Sequence, residues 1–125
     1  MTKQTICTDK APRPIGPYAQ AIKLGDIIFT SGQVGIDMQT GTLAQGIENQ
    51  AHAALKNVGA ILEEAGSSYD KALKCTVFVV DLADFATVNQ IYSMYFKDNC
   101  PARSCVQVAK LPQGALIEIE CIAAV

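Results

Sequence analysis

Apolar positions along the chain follow two different periods. Between Gly46 and about Ala65 they recur at steps of three and four, through Ile47, Ala51, Ala54, Leu55, Val58, Ile61 and Leu62. That spacing lays one apolar stripe along a helix of about five turns, and Gly66 stands where a helix stop is expected. A second stripe, Phe85, Val88, Tyr92, Tyr95 and Phe96, runs through "LADFATVNQIYSMYF", with Asp81 or Asp84 available as its N-cap. Asn89 interrupts that stripe between Val88 and Tyr92, so its amide needs partners.

Elsewhere the period is two. "YAQAIKLG" and "DIIFTSGQV" predict two strands with a turn at Gly25-Asp26, and "DMQTG" is a second turn cluster. In "LKCTVFVVD", Leu73, Cys75, Val77 and Val79 face one way, while Thr76, Phe78 and Val80 face the other. Both faces are largely apolar, so this strand is expected to be covered on both sides. "PARSCVQVAKLP" alternates Arg103, Cys105 and Gln107 with Ser104, Val106 and Val108, and "ALIEIECIAAV" sets Glu118 and Glu120 opposite Ile117, Ile119 and Cys121. Upstream, Pro12, Pro14 and Pro17 make "APRPIGPYAQ" stiff and extended. The order is strands, helix, strand, helix, two strands. It predicts one α+β domain over residues 1–125, with two helices on one face of a mixed sheet of about five or six strands. No helix remains for the other face, which is expected to pack on further copies of the chain as a ring of inward-turned sheets.

Composition narrows the function classes. The net charge is −2 and no run of Lys or Arg appears, which argues against a phosphate backbone as partner. No apolar run approaches the roughly 20 residues that span a bilayer. The opening "MTKQTICTDKAPRP" lacks the apolar core of a secretory signal, so the expected location is the cytoplasm. Cys7, Cys75, Cys100, Cys105 and Cys121 contain no CxxC pair and are expected to be free thiols, most of them buried. His52, the one histidine, has Glu48 and Lys56 a helical turn away and is expected on a solvated face. A structural zinc site or a Ser-His-Asp triad therefore has little to build on.

The chemistry-bearing candidates lie mostly on strands. Arg103 begins one strand, and Glu118 and Glu120 lie on the next, so the two strands are expected near one another or paired. Two readings of Arg103 are open: an ion pair with one of the glutamates, or a guanidinium waiting for a ligand carboxylate, which its planar fork takes in two parallel bonds. In the second reading Glu118 is free to orient water or move protons. Cys105 shares a strand face with Arg103. It acts either as a nucleophile with depressed pKa or through its backbone carbonyl. Tyr18 and Ser31 are polar groups next to glycines. "SGQVG" lacks the Walker spacing of a phosphate loop.

Taken together, "IGPYAQAI", "IIFTSGQ", "VFVVDLADFATVN", "PARSCVQVAKLP" and "IEIECIA" resemble the Rid family, the reactive intermediate deaminases also called YjgF proteins. The resemblance runs over nearly the whole chain. It implies a chorismate-mutase-like α+β fold, a homotrimer with sites in clefts between subunits, and no metal or organic cofactor. The implied reaction is hydrolysis of 2-imino or 2-enamino acids to 2-oxo acids and ammonia, with no nucleic acid or membrane as partner. By position, Arg103 would clamp the substrate carboxylate, and Glu118 would orient or activate water. The Cys105 carbonyl would hold the imine nitrogen or that water, and Tyr18, Ser31 and Asn89 would complete the wall. The loop "KDNC" is shorter than is usual in the family, and Cys100 stands where an aromatic residue is common, which bears on substrate size. Two other functions compete: a non-catalytic trimer that binds small carboxylic acids, and RNA cleavage or translation inhibition, attributed to some relatives.

Overall fold

The computed structural model describes all 125 residues. Nine strands and two α-helices follow one another as β1 (Gln4–Ile6), β2 (Ala21–Leu24), β3 (Ile27–Thr30), β4 (Gln33–Val34), β5 (Ile36–Asp37), β6 (Thr42–Leu43), α1 (Gly46–Glu64), β7 (Ala72–Val79), α2 (Phe85–Tyr95), β8 (Ala102–Gln107) and β9 (Ile117–Ala124). The main sheet runs β1-β2-β3-β9-β7-β8, with β4 also pairing β9, while β5 and β6 form a separate hairpin. Seven strands thus make the sheet, more than the alternation pattern announced. The three residues of β1 and two of β4 are too few to show a period.

Only β7 and β8 are parallel. A parallel pair needs a crossover, and α2 is that crossover. α1 is the main support of the sheet. Its stripe residues Ala51, Ala54, Leu55, Val58, Ile61 and Leu62 are fully buried, against Val77, Ile117, Ile119 and Cys121 of the sheet in a core of 22 side chains. Burying each Leu or Ile is worth about 1.5–3 kcal/mol, so packing rather than helix propensity holds α1 in place. The helix ends as the sequence predicts. Gly66 takes φ 86°, and its N–H and that of Ser67 return to the carbonyls of Glu63 and Leu62 at 3.0 and 2.8 Å.

Four expectations need correction. Leu73 does not join Cys75, Val77 and Val79, because a bulge between Ala72 and Lys74 shifts the register there. Ala72 takes the buried place and Leu73 is exposed. On α2 the buried residues are Val88, Ile91 and Tyr92, whereas Phe85 is exposed and Tyr95 half-buried. Asp81 rather than Asp84 supplies the cap, accepting from the Ala83 N–H at 2.9 Å, and it caps a short 3-10 turn that leads into α2. All five cysteines are free, but only Cys75 and Cys121 are buried, so most are not.

Both helices lie on one face. The opposite face carries Phe29 and Ile122 beside Lys74, Thr76, Phe78, Glu118 and Glu120, all exposed or half-exposed.

Candidate active site

β8 is the last strand of the sheet and α2 lies over it. Arg103 pairs with Cys75 on β7, which pairs with the buried Cys121 on β9, so all three side chains point to the helix side. There Arg103 meets α2. Its Nη1 donates to Asn89 Oδ1 at 2.7 Å. The Tyr92 and Phe85 ring centroids lie 4.8 and 5.4 Å from its Cζ. A hydrogen bond to a charged group is worth about 1.5–3 kcal/mol and a cation–π contact about 0.5–2. Those contacts hold the guanidinium in place without neutralising it. The chain's one ion pair joins Arg13 to Asp9 at the surface, and no protein carboxylate reaches Arg103.

Cys105 lies two residues on, on the same face and half-buried. Burial pushes its thiol pKa up, against a smaller downward pull from Arg103. That direction disfavours a thiolate nucleophile. Its backbone has another use. Val108 turns its N–H inward to the Val79 carbonyl at 2.8 Å. By strand alternation the Cys105 carbonyl then points away from β7, to the free edge of the sheet.

Glu118 stands elsewhere. It pairs with Phe78 on β7 and Val34 on β4, on the helix-free face. Burial first, and the neighbouring Glu120 second, push its carboxyl pKa up. The carboxylate lies flush on Gly32, where an added Cβ would overlap its Oε2. Glycine here serves close approach, as the "SGQ" stretch hinted. Tyr18, Ser31, Gly32 and Glu118 line one open cleft of about 880 Å³, with Ile15, Val34 and Met38 as apolar wall. Ser31 is fixed by its Oγ donating to the Ala19 carbonyl at 2.6 Å and its N–H to the Gln20 carbonyl at 2.8 Å.

The six predicted site residues therefore separate into two groups. Arg103, Cys105 and Asn89 gather under α2; Tyr18, Ser31 and Glu118 gather across the sheet. The strands of Arg103 and Glu118, expected near one another or paired, are near but not paired, because β7 lies between β8 and β9. Two strand spacings separate them by roughly 10 Å, and they face opposite ways. Asn89 differs from expectation too: its amide oxygen serves Arg103 rather than an open wall.

Sequence reasoning missed Gln20. It is 1% exposed. Its Oε1 accepts from the Thr8 N–H at 2.7 Å, and its Nε2 faces the carbonyls of Thr8, Ala11 and Pro12 at 3.1, 3.3 and 2.8 Å. One amide thus staples the proline-rich segment that carries Tyr18 to β2. A lone Gln beside two alanines gives no periodic signal. His52 is less solvated than expected: it is half-buried, with Nδ1 2.7 Å from the Tyr95 hydroxyl. No three His, Cys, Asp or Glu side chains converge as a metal site, and no helix is long and apolar enough to cross a membrane.

Comparison with known proteins is consistent with this arrangement. The family model described as endoribonuclease L-PSP matches residues 8–125. A 2-iminobutanoate/2-iminopropanoate deaminase of Salmonella typhimurium is 50% identical over 123 residues, covering 96% of each chain. The human protein of the same name is 48% identical over 124 residues, covering 98% of this chain and 90% of its own. The crystal structure of Escherichia coli TdcF with bound serine superposes with a TM-score of 0.93 at 46% identity, covering 98% of both chains. With its signature segments, its mixed sheet under two helices and relatives matched end to end, the chain belongs to the endoribonuclease L-PSP family, the Rid (YjgF) proteins.

Proposed function

We propose that this protein hydrolyses small 2-imino acids, and the 2-enamino acids that tautomerise to them, to 2-oxo acids and ammonia, using sites shared between two chains of a homotrimer. The observation that carries this reading is the state of Arg103: a cation held by an amide and two aromatic rings, with no protein anion beside it. Such a group awaits a carboxylate from outside. Names of relatives about half identical in sequence support the same substrate class.

The chemistry follows from the residues. Arg103 binds the carboxylate and so fixes the adjacent C=N. Glu118, its pKa raised by burial, accepts a proton as water adds to the imine carbon. That proton passes to nitrogen to give a carbinolamine; the hydroxyl then gives up its own proton, which also ends on nitrogen, as the C–N bond breaks and ammonia leaves with the oxo acid behind. The outward carbonyl of Cys105 accepts a hydrogen bond from the imine nitrogen or the water. An imine is already electrophilic, so orientation and one base suffice, and no cofactor is invoked.

Geometry supports a site shared between chains. A substrate of three or four carbons cannot touch Arg103 and Glu118 of one chain, which face opposite sides of the sheet. Joining the Arg103 edge of one chain to the Glu118 cleft of the next completes a site and covers the helix-free face.

The test couples a pyridoxal-phosphate-dependent dehydratase, which releases the imine, to the purified protein. Oxo-acid release should accelerate. Arg103→Ala and Glu118→Gln should each lose at least about 100-fold in kcat/KM, or about 2.7 kcal/mol, while remaining folded. Parent-like rates in Arg103→Ala would remove the clamp. A pure carboxylate binder would accelerate nothing, and it has no use for Glu118. The ribonuclease that the family description suggests lacks a cationic track in a chain of net charge −2.

A further inference from the structure

The underside of Arg103 carries more than holding contacts. A guanidinium offers two edges to a carboxylate, Nη1–Nη2 end-on or Nε–Nη2 side-on. Here Nη1 is already spent on Asn89 Oδ1 at 2.7 Å, while Nε and Nη2 have no partner in the chain. Tyr92 lies against the guanidinium and is itself 6% exposed. Its hydroxyl makes no full hydrogen bond and sits beside the Cys75 thiol. Burying that hydroxyl unpartnered costs stability. The residue's worth at this position therefore lies in its ring, whose electron-rich face attracts the cation.

We propose that Tyr92 and Asn89 are positioning residues that preset Arg103, so that only its Nε–Nη2 edge meets the substrate carboxylate. This rests on the deaminase reading and deepens it. A carboxylate taken side-on by two parallel bonds lies in the guanidinium plane. In a 2-imino acid the C=N is conjugated with that carboxylate, so its plane is set too. Water then approaches the imine carbon from above that plane, the direction from which the second chain must bring Glu118. Tyr92 touches no substrate and acts through the orientation of Arg103. Asn89 does so through Nη1.

Two measurements test this on the intact assembled protein. One is calorimetric binding of 2-oxobutanoate, which needs the clamp but no turnover. The other is the split between KM and kcat in the coupled deaminase assay. Tyr92→Phe keeps the ring and should match the parent in both. Tyr92→Leu should weaken 2-oxobutanoate binding and raise KM by about five- to tenfold and, because the imine plane is no longer preset for water, lower kcat by a similar factor. Asn89→Ala, half-exposed on α2 and safe for folding, should shift both in the same direction, and it carries the test alone if Tyr92→Leu fails to fold.

Equal damage in Tyr92→Phe and Tyr92→Leu would overturn the role of the ring. Unchanged KM and binding in both Tyr92→Leu and Asn89→Ala would overturn the whole proposal while leaving the deaminase reading intact. A parent that binds 2-oxobutanoate but speeds no imine hydrolysis would instead sink the deaminase reading. The binding arm would still decide the roles of Tyr92 and Asn89.

Discussion

Glu118 is half-buried on Gly32 and shares its strand face with Glu120. Burial and a like charge both favour its protonated form, so the folded chain binds that proton more tightly than an unfolded one. Two consequences have definite sign. Stability falls as pH rises from the ordinary Glu range through the raised value, because the native state holds the extra proton there. On the proposed role activity behaves oppositely: a base works only when ionised, so kcat/KM is expected to fall as pH drops through the raised value. Glu120→Gln removes the like charge. It should move the acid limb of the kcat/KM profile to lower pH while leaving the plateau in place; a stationary limb would assign it to another group.

At the scale of elements, what could be read locally differs from what could not. α1 was legible almost to the residue, because a period of 3.6 and a terminal glycine are local signals. The assignment of Arg103 and Cys105 to one strand face was legible for the same reason. Neighbour order in the sheet was not. "AKLPQGA" is short, which suggested adjacency of β8 and β9, yet β7 inserts between them through a contact remote in sequence. The bulge at Leu73 and the hairpin of β5 and β6 escaped because each rests on two or three residues. Gln20 escaped because one buried amide has no period. Its function is to tie the segment from Thr8 to Pro12 onto β2. Gln20→Ala would leave buried backbone groups unpaired. It should lower unfolding free energy by about 2–4 kcal/mol, read as an earlier urea midpoint at unchanged m-value. Activity should fall with it, since Tyr18 and Ser31 stand on the tethered parts.

For the whole molecule, the split of Arg103 and Glu118 to opposite faces makes catalysis, on the proposed function, a property of the assembly. That gives a test no single-chain site would pass. Inactive Arg103→Ala and inactive Glu118→Gln protein, unfolded together and refolded at equal amounts, should regain about a quarter of parent activity. With random assembly, one junction in four joins an intact Arg103 edge to an intact Glu118 cleft. Sites confined within single chains would regain nothing. Phe29, Phe78 and Ile122 are the apolar residues available to such proposed junctions, and the free edge of β8 is the source of unpaired backbone groups.

The same helix-free face is not uniformly greasy. Lys74, Thr76, Glu118 and Glu120 break its apolar residues into small islands, and Lys74 is tethered to Ser104 at 2.9 Å. Large continuous oily patches are what make lone subunits precipitate. A lone chain is thereby expected to resist clumping through this face, with Glu118, the proposed base, serving also as one of the groups that keep the face wetted.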